Sequence, residues 1–99
     1  MKTYIIRPYY GHDCNSVDGF NDGYYLDEIE VEANSEDAAI QQCIAKQKAS
    51  LPEETETFQF FGDFDTLAWI TEYCDEVNED GYGEYLYKYI DFSDVRLKE

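Results

Sequence analysis

Regularly spaced carboxylates are the residues of this chain with the clearest chemistry. In the segment 24–33, Glu28, Glu30 and Glu32 alternate with apolar residues. Residues two apart on a β-strand project from the same face, roughly 6.6 to 6.8 Å apart. A row of carboxylates accepts bidentate hydrogen bonds from arginine and attracts lysine. The pattern therefore predicts either an anionic face that meets a basic partner or a solvated face that only keeps the chain dissolved.

The charge of the whole chain favours a basic protein as the partner. The 99 residues include 23 acidic and 7 basic ones, which gives a net charge of −16, and neither 8–45 nor 49–87 contains a lysine or arginine. Such a charge attracts basic proteins and repels nucleic acids and membranes. Proteins that bind nucleic acids directly carry a basic surface instead. We therefore expect no direct contact with nucleic acid or with a membrane.

Catalytic chemistry has little support in the sequence. The one histidine, His12, lies beside Asp13 and Cys14 in a segment expected to be a loop. A nucleophile and its base must be held within hydrogen-bond reach, which residues two apart on a flexible loop rarely achieve. A glycosidase would need a cleft that 99 residues barely supply. We predict that the protein is not an enzyme and has no catalytic residues.

A metal site is not predicted either. The segment 76–87 matches the first half of a calcium-binding EF-hand loop, but its twelfth position is Tyr87, where a bidentate glutamate is required. The three cysteines form an odd set without short spacings, which indicates reduced thiols rather than a disulfide framework or a zinc site. We predict no cofactor, although a small metal-binding regulator stays an alternative.

The elements that would position these residues follow from hydrophobic periodicity. A capping residue, Asn34 or Ser35, precedes apolar residues at helical spacing and predicts a helix to about residue 49. The segment 65–77 fits a second helix capped by Asp65, although an extended strand is also possible because Leu67, Trp69, Thr71 and Tyr73 alternate along 67–73. We favour the helix. The predicted strands cover 1–10 (ended by Pro8), 24–33, 57–61 and 84–92, with an acidic loop at 12–23 and a tail at 93–99 that frays or extends the sheet.

These elements predict a single α+β domain over residues 1–99. Their order is β-β-α-β-α-β, and the simplest packing is a mainly antiparallel sheet of about four strands with both helices on one face. The sequence contains no apolar run long enough to span a membrane and no secretory signal, so we expect a cytoplasmic protein.

The predicted binding surface combines acidic side chains with aromatic rings. If the open face of the sheet brings 24–33 beside 84–92, the glutamates lie near Tyr85, Tyr87 and Tyr89. Carboxylates then bind guanidinium groups while the rings accept cation–π contacts. The predicted partner-binding residues are Glu28, Glu30, Glu32, Asp75, Glu76, Glu79, Asp80, Glu84, Tyr85 and Tyr87.

The short, tyrosine-rich, strongly acidic chain resembles the phage-encoded DNA-mimic inhibitors of the anti-restriction and anti-CRISPR types. Its opening MKTYIIRPYY and the run IEVEA followed by NSEDAAIQQCIAK are also similar to small phage and mobile-element proteins. This second resemblance is a generic strand–cap–helix pattern, and no site residue is carried over from it. The resemblance implies a non-enzymatic inhibitor that occupies the basic nucleic-acid channel of a CRISPR effector or restriction nuclease. An immunity protein or antitoxin that covers a basic toxin is the alternative.

Overall fold

The computed structural model describes residues 1–14, 22–58, 64–77 and 83–98, and for 74–77 and 83–84 it describes the backbone only. The elements are β1 Lys2–Ile6, β2 Tyr9–Cys14, β3 Asp22–Tyr25, β4 Ile29–Ala33, α1 Glu36–Ser50, β5 Thr57–Phe58, β6 Thr66–Val77, β7 Gly83–Asp91 and β8 Val95–Leu97. The strands form a three-stranded sheet in the order β4-β1-β8 and a five-stranded sheet in the order β3-β2-β7-β6-β5. Every strand pair is antiparallel, as predicted.

A bend at Pro8 connects the two sheets. Two residues, 7–8, separate the central strands β1 and β2. Beside them, three residues separate β3 from β4 (26–28), and three separate β7 from β8 (92–94). One extra residue on a strand forms a β-bulge, which bends and twists the sheet. The Leu26 N–H donates to the Pro8 carbonyl at 2.8 Å and carries the pairing across the bend. Proline has no N–H for a ladder, so a bulge is where a sheet tolerates it.

Helix α1 packs on one face of the three-stranded sheet and reaches β6 on the same side of the five-stranded sheet; we call this side the inner face. It contacts β1, β4 and β8 of the smaller sheet and β6 of the larger one. The helix begins where predicted, because the Ser35 Oγ accepts a hydrogen bond from the Ala38 N–H at 3.1 Å. The hydrophobic core between helix and sheets consists of Tyr4, Ile6, Ala33, Ala39, Ile40, Cys43, Leu67, Trp69, Ile90 and Phe92.

The predicted second helix over 65–77 is wrong, because this segment forms the strand β6. The residues from Thr66 to Trp69 are all buried. One side of β6 faces the core through Leu67, while the other side carries Ala68, which pairs with the buried Tyr89 of β7. A strand buried on both faces reads as a continuous apolar run, which periodicity alone does not distinguish from a helix.

The predicted sheet of about four strands in the order β-β-α-β-α-β is also wrong, since eight strands in two sheets accompany one helix in the described residues. The predicted strands 1–10 and 24–33 each divide into two at the bend. The strands β2 and β3 extend into the predicted loop 12–23, and β5 covers only Thr57–Phe58 of the predicted strand 57–61. The last strand is confirmed by β7, and the tail extends the sheet as β8.

The single domain predicted for 1–99 stays a prediction. Across the described ranges, no helix is long and apolar enough to cross a membrane.

Candidate partner-binding surfaces

The first predicted group of carboxylates lies on the outer face of the three-stranded sheet. Glu28, Glu30 and Glu32, which we call the glutamate row, are exposed, as the strand alternation predicts. Arg96 Nη2 donates to Glu28 Oε2 at 2.6 Å, and Lys98 Nζ donates to Glu30 Oε1 at 2.8 Å. Two of the three carboxylates therefore have an intramolecular cation beside them. The glutamate row is part of a surface of mixed charge.

Both side chains of each ion pair are exposed to solvent, so each pair contributes only about 0.2 to 1 kcal/mol to stability. A second role follows for Glu30 and Glu32, which lie on β4 at the edge of the sheet among the described strands. Charged residues on an edge strand oppose pairing with another chain. The Gln42 side chain adds to this protection by donating from Nε2 to the Glu32 carbonyl at 3.1 Å.

The structure does not bring the glutamate row beside Tyr85 and Tyr87, contrary to the expectation from the sequence. The row belongs to the sheet β4-β1-β8, whereas both tyrosines lie on β7 in the other sheet. Strand β7 pairs instead with β2 and β6. The predicted surface is therefore divided between two parts of the molecule.

The second group of carboxylates lies at one end of the five-stranded sheet. Strands β2 and β6 run toward this end and β3 and β7 run away from it, so the register aligns Cys14 with Leu86 and Val77 with Gly83. Lys88, which pairs with His12, is the last basic residue before it. From the level of Lys88 outward, the acidic residues of the described strands are Asp13, Asp22, Glu72, Asp75, Glu76 and Glu84. We call these six residues the acidic end.

The acidic end contains three of the predicted partner-binding residues. Asp75 and Glu76 lie on β6 rather than on a helix, and Glu84 lies at the start of β7. Glu79 and Asp80 fall outside the described residues. Sequence reasoning missed Asp13, Asp22 and Glu72 because the register of β2, β3 and β6 decides their position, and that register is not visible in local patterns.

A series of tyrosines covers the outer face of the five-stranded sheet. Their ring centroids lie between 5.1 and 6.3 Å from one to the next, within the usual range of aromatic contacts. We call these side chains the tyrosine face; in order they are Tyr25, Tyr9, Tyr89, Tyr87, Tyr85 and Tyr73. The predicted pair Tyr85 and Tyr87 lies next to Tyr73 at one end of this series.

Two glycines allow these rings to lie across neighbouring strands. A Cβ atom at Gly11 would lie 2.5 Å from the Tyr89 hydroxyl oxygen, and one at Gly23 would lie 2.7 Å from that of Tyr9. Gly11 pairs directly with Tyr89, and Gly23 pairs with Gly11, two residues from Tyr9 on β2, so each ring packs directly on bare backbone. A larger residue at either glycine would displace its ring. The close approach explains why glycine occurs inside β2 and β3.

Carboxylates bind the hydroxyl groups at the end of the tyrosine face nearest the acidic end. The Tyr87 hydroxyl donates to Asp13 Oδ2 at 3.3 Å, and the Tyr73 hydroxyl donates to Glu56 Oε2. Burial, followed by the charge and the hydrogen bond of Asp13, raises the pKa of Tyr87 to about 12. The hydrogen bond to Glu56 is the main reason that the pKa of Tyr73 is also raised. Both phenols are therefore neutral donors at physiological pH.

Alkaline titration tests the Tyr87 environment. We expect one tyrosine to ionise near pH 12 and this phase to disappear in Tyr87→Phe, with tyrosinate absorbance as the measurement. The unfolded chain releases this proton at about pH 10, before the folded chain does. The stability that neutral Tyr87 contributes is therefore complete below about pH 10 and is lost as the pH rises toward 12. Tyr24→Phe, on the opposite face, is the control; a phase near pH 12 that keeps its full amplitude in Tyr87→Phe contradicts the assignment.

Metal binding and thiol chemistry were the other possibilities for the part of the chain that the structure describes. No group of three histidine, cysteine or carboxylate side chains there is placed to hold a metal ion. Cys43 is buried in the core as predicted, and burial raises the pKa of its thiol. A raised pKa lowers the thiolate fraction that nucleophilic chemistry requires.

Comparisons of the chain with protein-family models, curated proteins and solved structures found no match.

Proposed function

We propose that this protein is a non-enzymatic inhibitor whose acidic end occupies the basic nucleic-acid-binding surface of a CRISPR effector or restriction nuclease. The separation of charge within the fold supports this proposal. Arg96 and Lys98 accompany the glutamate row, whereas the described strands of the acidic end have no lysine or arginine beyond Lys88. A concentrated anionic region attracts a basic partner more strongly than the same charges spread evenly.

The number of acidic residues across the acidic end is similar to the number of phosphates on DNA of the same width. These six residues lie on four neighbouring strands, β3, β2, β7 and β6. Strands are spaced by about 4.7 to 4.9 Å, so these four span about 14 to 15 Å. Duplex DNA of that length carries about eight charges. A basic channel shaped for phosphates would therefore meet a similar number of acidic residues at this end.

Binding of this kind is stoichiometric and fast. Complementary charges raise the association rate, and screening by salt lowers it. The inhibitor would act in the cytoplasm, where such nucleases meet their DNA. It would prevent binding of the nucleic acid and would leave the chemical step of the nuclease unaltered.

A competition experiment tests the proposal. The protein is added to complexes of labelled DNA with a panel of purified CRISPR effectors and restriction nucleases at several salt concentrations. We expect one panel member to release its DNA at one protein per enzyme, with an affinity that falls steeply as salt rises. A basic toxin nuclease in the same panel tests the alternative role as an immunity protein. Binding that leaves the DNA in place, or that ignores salt, contradicts the proposal.

A further inference from the structure

We infer that the part of the tyrosine face next to the acidic end binds arginine side chains of the partner in preference to lysine. The site consists of the rings of Tyr73, Tyr85 and Tyr87 with the carboxylates of Glu56 and Asp13. The inference rests on the proposed function, because it names the side chain by which a basic partner is recognised. It adds a chemical preference that charge alone does not provide.

The same face already holds one guanidinium group. Arg7 Cζ lies 4.3 Å from the centroid of the Tyr25 ring, well within the distance of about 6 Å for a cation–π contact. The ion pairs found among the described residues do not include Arg7. An aromatic ring therefore positions this guanidinium, although the carboxylates of Asp91 and Asp94 line the same pocket of about 210 Å³.

At the other end of the face, Tyr73 offers a partner the same combination of an aromatic ring and a nearby carboxylate. Its side chain is 60% exposed, its hydroxyl donates to Glu56, and its ring packs against Tyr85 with centroids 6.2 Å apart. A guanidinium that stacks on such a ring also reaches a neighbouring carboxylate, to which it donates in a planar fork. Tyr87 with Asp13 repeats the combination of phenol and carboxylate one strand away.

Arginine fits this site better than lysine for physical reasons. The guanidinium is planar and weakly hydrated and stacks on aromatic faces, whereas the lysine ammonium is a compact and strongly hydrated charge. Nucleic-acid bases also stack on tyrosines. Here, however, the carboxylates of the acidic end would repel the phosphates that accompany the bases. A basic protein rich in arginine is therefore the partner that matches both the rings and the charge.

The test compares oligoarginine and oligolysine peptides of equal length, with fluorescence anisotropy at low salt as the measurement. We expect the protein to prefer oligoarginine, and we expect Tyr73→Leu to weaken oligoarginine binding by about two- to five-fold with oligolysine unaffected. Tyr73→Phe, which keeps the ring, should retain the preference. Tyr24→Leu is the matched control, because Tyr24 is 61% exposed and lies on the opposite face.

The outcomes separate this inference from the proposed function. Equal binding of the two peptides, or a loss in Tyr73→Leu that is the same for both, overturns the arginine site. Tyr73-dependent binding of a single-stranded DNA oligonucleotide overturns it in favour of base stacking. Failure to displace DNA from any nuclease would contradict the proposed function, whereas a Tyr73-dependent preference for oligoarginine would still support the site.

Discussion

The substitution Ile6→Ala is expected to lower the free energy of unfolding by about 2 to 5 kcal/mol, the usual loss for truncating an isoleucine inside a core. Ile6 is completely buried and belongs to the cluster that joins the sheets to α1. It lies on the central strand β1, where it pairs with Ile29 on one side and with Val95 on the other. Because neighbours on both sides are fixed by strand pairing, the cavity left by the substitution cannot easily collapse.

The adjacent residue provides a matched control. Ile5 lies on the same strand but points to the outer face, in register with Glu30 and Arg96, and is only partly buried. Ile5→Ala should therefore cost about 1 kcal/mol or less, mostly through the lower strand propensity of alanine. Urea denaturation of both variants gives the comparison. Equal losses would mean that the inner and outer faces of β1 are wrongly assigned.

Helix α1 could be predicted from sequence because its signals are local. The cap at Ser35, the acidic first turn of Glu36 and Asp37, and the basic last turn at Lys48 all lie within or next to the element that they define. Strand β6 could not be predicted with the same rules. The inner side of its first half meets the helix and the outer side lies beside the tyrosines of β7, so both faces of residues 66–70 are largely apolar for reasons that lie elsewhere in the chain.

The binding surface shows the same division between local and distant information. Alternation correctly placed the glutamate row on one exposed face of a strand, and it correctly placed Tyr85 and Tyr87 together on β7. The cations beside the row, however, lie 68 residues away from their partners in sequence. Their effect depends on β8 pairing with β1, for which the tail carries no recognisable signal. A surface that is uniformly acidic in sequence is therefore partly neutralised by the fold.

This difference between the two acidic surfaces predicts different results for equal changes of charge. The triple substitution Glu72→Gln, Glu76→Gln and Glu84→Gln is expected to weaken binding to the nuclease identified by competition by about ten-fold or more, mainly through slower association. It removes three charges from a region where the described strands supply no compensating cation beyond Lys88.

The matched variant changes the glutamate row, with Glu28→Gln, Glu30→Gln and Glu32→Gln. Both variants change the net charge of −16 by the same three units, to −13, so they differ only in where the charge is lost. The second variant also leaves Arg96 and Lys98 without their carboxylates, but those pairs are exposed and contribute little. We expect a change in affinity of about two-fold or less. If both variants slow association equally in stopped-flow measurements, total charge governs binding, and the acidic end has no special role.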